Sequence, residues 1–99
     1  MKLWEIAHAR SGDKGNISNI SLIVYNKSDY ALIKKRVTEK RVKQWFGSKI
    51  KGEVSRYELP QLGALNFVLY NALEGGVTSS NLLDKHGKTL SSYLLEMQI

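Results

Sequence analysis

The chain has 99 residues and no cysteine, so it is long enough for one hydrophobic core, and disulfide and thiolate chemistry are excluded. Its 42% hydrophobic content and single proline are typical of a globular domain and exclude disorder as the main state. The N-terminus lacks the apolar core of a secretion signal, and no stretch approaches the roughly 20 apolar residues of a membrane span. We therefore expect a cytoplasmic protein without a membrane partner.

The formal net charge of +6 is unevenly distributed along the chain. Nine of the fifteen Lys and Arg residues lie between Lys34 and Arg56. Such a run is typical of a surface for nucleic acid or an acidic partner, or of the solvated face of a helix. No recognised nucleic-acid module accompanies it, and the predicted strands lack the aromatic pattern of an RNA-recognition sheet. Nucleic acid is therefore the less favoured partner.

The first quarter of the chain predicts two strands and a connecting loop. Leu3 to Ala9 and Ile17 to Tyr25 have strand composition, and Arg10 to Asn16 is the expected loop between them. This loop holds the densest set of reactive groups in the chain: Arg10, Ser11, Gly12, Asp13, Lys14, Gly15 and Asn16. Glycines let backbone amides approach a ligand, and the two cations suit a carboxylate or phosphate. The same composition is typical of an ordinary polar turn, so both interpretations stay open.

Three polar residues outside the loop extend the candidate site. His8 is either a hydrogen-bonded core histidine or a general base that Asp13 would orient. Asn19 either satisfies the turn backbone or presents its amide to a ligand. Asn66 interrupts an apolar run, and is either a structural tie or part of the same site. The sequence shows no metal signature, no phosphate-loop or dinucleotide motif, and no other sign of a cofactor.

The middle of the chain predicts two short helices, or one kinked helix, over Ser28 to Phe46. Ser28 or Asp29 is the expected first cap, and Thr38 the second. Gly47 is expected to end the second helical segment. A half-exposed strand from Glu53 to Leu59 follows, and it should stop at Pro60.

The last third of the chain predicts a helix, a strand and a final helix. Pro60 suits the start of a helix, and leucines at helical spacing from Leu62 to Leu73 predict the most buried helix of the chain. Val77 to Leu83 is the last predicted strand. Leu90, Leu94 and Met97 predict an amphipathic helix, although Leu95 to Ile99 could instead add an edge strand.

Together these elements predict an α+β fold with one domain over residues 1–99. Its helices should pack on one face of a mixed sheet as a two-layer sandwich. If each pair lies in one sheet, the right-handed crossover rule makes the strand at Val54 parallel to that at Ile17, and the strand at Val77 parallel to that at Val54. If one sheet face is uncovered, we expect association, including a homo-oligomer.

Three blocks of sequence carry a family resemblance. They are I-A-H-A-R-S-G-D-K-G-N-I-S-N-I from Ile6 to Ile20, R-Y-E-L-P-Q-L-G-A-L-N-F-V-L from Arg56 to Leu69, and E-G-G-V-T-S-S from Glu74 to Ser80. In this order they resemble the small ferredoxin-fold-like domain of the acyclic terpene utilisation (AtuA) family, over nearly the whole chain. The resemblance implies a ferredoxin-like sheet. It also implies a large AtuA-type partner, because the domain occurs either at the end of a larger protein or as a separate chain.

The resemblance further implies a setting in bacterial catabolism of branched or terpenoid acids and their CoA esters, without any assigned catalytic residue. The leading hypothesis is therefore a small subunit or accessory domain of an AtuA-type complex, whose glycine-rich loop completes a site for an anionic ligand or acyl-CoA. One alternative is a stand-alone enzyme that acts on an acyl-CoA-like substrate with His8 as general base. Another is a basic nucleic-acid-binding module.

Overall fold

The structure is a computed structural model that describes residues 1–14, 17–71 and 90–99. Its strands and helices follow in the order β1 (Ala7–Lys14), β2 (Ile17–Val24), α1 (Tyr30–Arg36), α2 (Glu39–Phe46), β3 (Val54–Leu59), β4 (Ala64–Tyr70) and α3 (Leu90–Leu95). Short 3-10 turns lie at Leu3–Glu5, Lys27–Asp29, Gly47–Lys49 and Pro60–Leu62. In these ranges, no helix has the length and apolar character needed to cross a membrane.

The four described strands form one sheet in the order β1-β2-β4-β3. Each neighbouring pair is antiparallel. Because β2 and β3 both run antiparallel to the intervening β4, they point in the same direction, as the crossover rule predicted. The α+β class is confirmed, but pairing among the described strands is antiparallel rather than mixed. The predicted strand from Val77 to Leu83 lies outside the described residues.

The hydrophobic core lies on one face of this sheet. Alternate residues of β2 are buried, and β4 contributes Leu65, Phe67 and Leu69 to the same core. All three helices add buried side chains to that cluster, among them Ile33, Phe46 and Leu94. The predicted arrangement of helices packed on one face of a sheet is therefore confirmed.

Local signals placed α1 and α2 correctly, although Asp29 at the start of α1 makes no side-chain capping hydrogen bond. The Thr38 hydroxyl accepts a hydrogen bond from the Arg41 backbone N–H at 3.2 Å, so Thr38 caps α2 as predicted. Gly47 ends α2 in a positive-φ conformation, with φ of 59°. The predicted final helix is α3, and the chain then returns to the N-terminus, where Leu3 N–H donates to the Met97 carbonyl at 2.9 Å.

The predicted helix from Leu62 to Leu73 is wrong. Pro60–Leu62 forms only one 3-10 turn, which ends at Gly63 in the left-handed region with φ of 62°. The next residues, Ala64–Tyr70, form strand β4 in the interior of the sheet. A short, nearly continuous apolar run fits either a buried helix or a central strand, and here pairing with strands on both sides decides for the strand.

The boundaries predicted for the first strand and its loop are also wrong. Leu3–Glu5 is a 3-10 turn, and β1 starts at Ala7 and continues through Lys14. The part of the predicted loop from Arg10 to Lys14 is therefore strand, paired residue by residue with Ile17 to Ser21. The hydrogen-bonded ladder with β2 overrides the turn-like composition of this segment.

Candidate functional site

The sheet face opposite the core is the candidate site, and no described helix packs on it. We call it the open face. Ile17 is 43% exposed, Tyr57 is 54% exposed and Leu59 is 39% exposed on this side of the sheet. Strand alternation and register give its outward positions as His8, Arg10, Gly12, Lys14, Ile17, Asn19, Ser21, Ile23, Ser55, Tyr57, Leu59, Ala64, Asn66, Val68 and Tyr70.

Six of the predicted site residues occupy register positions on the open face: His8, Arg10, Gly12, Lys14, Asn19 and Asn66. The four β1 residues share this face because they are spaced two apart along an extended strand. Asn19 lies opposite Gly12, and Asn66 lies opposite Ser21, the partner of Arg10. The structure therefore assembles most of the predicted polar residues on a sheet surface instead of in a loop.

The other predicted site residues do not join this group in the structure. Ser11 pairs with the buried Ile20 and alternates to the other side of β1. Asp13 belongs to β1, where it pairs with the buried Ser18. Gly15 and Asn16 lie outside the described residues.

Four residues form a continuous row across the open face, which we call the polar row. Arg10 on β1 is opposite Ser21 on β2, Ser21 is opposite Asn66 on β4, and Asn66 is opposite Tyr57 on β3. Directly opposed residues have Cβ atoms about 4.5–5.5 Å apart, so neighbouring side chains in the row are within contact distance. Asn66 Nδ2 donates a hydrogen bond to Ser21 Oγ at 3.0 Å.

Sequence reasoning missed Ser21 and Tyr57. The outward position of Ser21 could have been inferred, because it alternates with the apolar residues Ile20 and Leu22. Its proximity to Asn66 could not, because that depends on the pairing of β2 with β4. Tyr57 joins the row for the same reason, through the pairing of β3 with β4.

Gly12 serves the site differently from the prediction. It lies in a strand, so it does not relax a loop around a ligand. A Cβ atom placed on Gly12 would meet only the Asn19 side chain, at 3.8 and 3.9 Å, which is ordinary van der Waals contact. The missing side chain leaves the Asn19 amide uncovered beside Arg10, where a ligand atom can approach the sheet.

His8 lies on the open face and not in the core. Its ring stacks on Tyr25 with a centroid distance of 5.2 Å and an interplanar angle of 27°. Asp13 is five residues further along the same extended strand, so their Cα atoms are separated by about 16 Å. This backbone separation does not favour the predicted pair of a general base and its orienting carboxylate.

Two arginines of the basic segment, Arg41 and Arg56, are used inside the fold. The Arg56 guanidinium donates to the carbonyl oxygens of Lys34 and Val37 at 2.8 and 2.9 Å, close to the end of α1. Arg41 donates to the carbonyl oxygens of Arg36 and Gln98 at 3.0 and 2.6 Å. Three of these carbonyls, those of Lys34, Arg36 and Val37, lie at the end of α1, where a helix leaves carbonyl groups without partners. The placement of the two arginines favours a structural role over a phosphate-binding surface.

Metal ligation has no support in the described ranges, where no group of three or more His, Asp or Glu side chains converges.

The comparisons with known proteins bear on the fold and family. A model of the AtuA ferredoxin-like domain matches residues 1–99, the whole chain. Comparison with curated proteins and with solved structures gave no match. The family match and the antiparallel sheet with helices on one face agree, and the chain belongs to the AtuA ferredoxin-like domain family.

Proposed function

We propose that this chain is a small subunit or accessory domain of an AtuA-type protein complex. Its setting would be the bacterial catabolism of branched or terpenoid acids or their CoA esters. In that complex its open face completes a site for an anionic organic acid or acyl-CoA-like ligand. The polar row is the observation that supports this proposal most directly. It takes the place of the glycine-rich loop as the anion-binding element.

The charge of the open face favours an anion. Arg10 is exposed, and the outward positions of the four described strands include no Asp or Glu. Asn19 and Asn66 add amide donors on the same surface. A charge-assisted hydrogen bond from a guanidinium to a carboxylate or phosphate contributes about 1.5–3 kcal/mol, which exceeds a neutral hydrogen bond. The open face therefore has both a cation and hydrogen-bond donors for a carboxylate or phosphate.

The flatness of the sheet favours an accessory role over a stand-alone enzyme. Ligand sites usually bury about 70–90% of a small ligand, and a single sheet face encloses only one side of it. A second surface must close over the ligand, and the large AtuA-type subunit would provide it. Exposed apolar residues on the open face, such as Ile17 and Leu59, suit burial against that subunit. The separation of His8 from Asp13 also weakens the enzyme hypothesis.

Size-exclusion chromatography with the large AtuA-type chain tests this proposal. We expect the two chains to co-elute at micromolar concentrations. Arg10→Ala should leave folding and co-elution intact but lower ligand-dependent activity of the complex by roughly tenfold or more, the scale of one lost charge-assisted hydrogen bond. Lys35→Ala is the matched control, since Lys35 is an exposed cation on α1. Separate elution of the two chains would contradict the proposal.

A further inference from the structure

The two edge strands of the described sheet, β1 and β3, differ in how their outer backbone groups are used. On β3, the Arg56 backbone N–H points away from β4 and donates to Glu39 Oε2 at 2.7 Å. The Arg56 guanidinium and the ion pair between Glu58 and Lys34 also join this edge to α1. Covering an edge in this way prevents the addition of another strand. The β3 edge is therefore closed.

The hydrogen-bonding pattern of β1 shows which of its residues face the other edge. Tyr25 N–H donates to the Ile6 carbonyl at 3.0 Å, one residue before the ladder of β1 with β2 begins. Hydrogen-bonded pairs recur at every second residue of an antiparallel ladder, so the even-numbered residues of β1 bond to β2. The odd-numbered residues, among them Ala9 and Ser11, direct N–H and C=O groups to the edge. Within residues 1–14, 17–71 and 90–99, no group bonds to these two backbones there, so this edge is open.

We propose that a second copy of the chain pairs its β1 with this edge, antiparallel and about a twofold axis at Ser11. Only odd-numbered residues can exchange hydrogen bonds across the edge, so the two open faces lie on the same side of one continuous sheet. Twofold pairing of identical strands closes both open edges with a single contact. A segment of another chain would close only one. This inference goes beyond the proposed function and does not depend on it.

The charges on β1 exclude most of the possible axes. An axis at Arg10 or at Asp13 would place that residue opposite its own copy. An axis at Gly12 would set Arg10 opposite Lys14. Like charges directly opposite each other on neighbouring strands are destabilising. Two axes, at Ala9 and at Ser11, remain.

Exposure decides between these two axes. An axis at Ala9 would need the edge at Ala7, which is 1% exposed and therefore covered. An axis at Ser11 uses the exposed part of the strand, and it places two small serine side chains opposite each other. The outermost pair then sets Lys14 opposite His8, which is formally neutral at pH 7. The axis at Ser11 is therefore the register that both charge and exposure favour.

This pairing brings a second cation to the candidate site. Arg10 of the second copy lies opposite Gly12, which has no side chain to obstruct the arginine. Gly12 is also opposite Asn19 on β2, so the added guanidinium lies beside the Asn19 amide. The two Arg10 residues are diagonal neighbours about 7–8 Å apart, and physiological salt reduces their repulsion at this distance. Each open face thus gains an anion-binding group from the other copy.

Single cysteines test the register, because the chain has no cysteine of its own. Hydrogen-bonded antiparallel pairs have Cα atoms about 5.5 Å apart, which is within the range of a disulfide. Ser11→Cys should therefore give a disulfide-linked dimer of the full chain under mild oxidation. Ser55→Cys, on the closed edge strand β3, is the matched control and should remain monomeric. Cross-linking through position 55 and not through position 11 would overturn the inference.

Analytical ultracentrifugation of the reduced chain at about pH 8 tests the pairing without a cross-link. The unsubstituted chain should form a dimer as its concentration rises. Ser11→Lys and Ser11→Glu should each weaken dimerisation by roughly fivefold or more, and an equimolar mixture should recover it, because opposite charges then meet at the axis. Ser48→Lys, at an exposed position of a 3-10 turn, is the control. Circular dichroism establishes that each variant is folded.

Three outcomes separate the inference from its alternatives. An unsubstituted chain that stays monomeric up to about 1 mM would overturn it. A monomeric chain whose co-elution with the large AtuA-type chain is weakened by Ser11→Lys would also overturn it, because the edge would then bind a segment of the large chain. Dimerisation without co-elution would support the inference and contradict only the proposed accessory role.

Discussion

At the scale of single residues, backbone proximity at Gly52 predicts a large effect of a small change. Gly52 N–H donates to the Tyr70 carbonyl at 3.0 Å. A Cβ atom on Gly52 would lie 2.8 Å from both the carbonyl carbon and the Cβ of Tyr70, so the backbone would have to move. We expect Gly52→Ala to lower the free energy of unfolding by about 1–3 kcal/mol, measured by urea denaturation.

Gly12→Ala is the control for this prediction. The added methyl group would make only ordinary contact with the Asn19 side chain. Its effect on the free energy of unfolding should stay within about 0.5 kcal/mol. Equal losses in the two variants would show that crowding at Gly52 is not the cause.

Arg56 provides a second prediction at the same scale. Its guanidinium donates to two backbone carbonyls, and its backbone N–H donates to Glu39 Oε2 at 2.7 Å. Arg56→Ala would leave the carbonyls of Lys34 and Val37 without this donor. We expect a loss of about 1–3 kcal/mol in the free energy of unfolding, measured by thermal and urea denaturation. Lys40→Ala, at an exposed position of α2, should change it by less than about 0.5 kcal/mol.

At the scale of elements, local signals predicted α1 and α2, whereas strand pairing decided where the strands lie. Thr38 and Gly47 mark the ends of α2 through contacts within a few residues, so the sequence displays them. The strand at Ala64–Tyr70 has an apolar pattern that also fits a helix, and only its neighbours β2 and β3 decide its type. The same non-local pairing extends β1 through Arg10 and the residues that follow it.

In the candidate site, too, part of the arrangement follows from local sequence and part from strand pairing. His8, Arg10 and Gly12 share a face because of strand alternation alone, which any sequence can show once the strand is recognised. Asn66 and Tyr57 lie in the same row as Arg10 only because the strands have the order β1-β2-β4-β3. Because the sequence placed Asn66 in a helix, it could predict that this amide is significant but not which residues lie beside it.

The cap of α2 gives a prediction at this scale. Thr38→Ala removes the side-chain acceptor for the Arg41 backbone N–H. We expect the free energy of unfolding to fall by about 1 kcal/mol, within a range of about 0.5–2 kcal/mol for lost caps. Thr38→Ser keeps the hydroxyl and should recover most of this loss in the same urea titration. If Thr38→Ser is as unstable as Thr38→Ala, the threonine methyl group and not the cap stabilises this position.

At the scale of the whole molecule, the two faces of the sheet have different roles, and matched substitutions can separate them. On β2, Leu22 is fully buried in the core, whereas Ile17 on the open face is 43% exposed. Leu22→Ala should lower the free energy of unfolding by about 2–5 kcal/mol, because it leaves a cavity in the only described core. Stability of the isolated chain thus reports on the inner face.

The open face should be revealed in the assembly. The double variant Ile17→Thr with Leu59→Thr places a β-branched residue, which favours strands, at both positions. The isolated chain should therefore remain folded. Both substitutions remove apolar area that the large subunit would bury. The affinity between the two chains, measured by co-elution at micromolar concentrations, should therefore fall by roughly tenfold or more. Leu62→Thr is the control, since Leu62 is 64% exposed but lies in the 3-10 turn outside the sheet. Undiminished co-elution of the double variant would show that the large subunit docks elsewhere and leaves the open face to the ligand or to solvent.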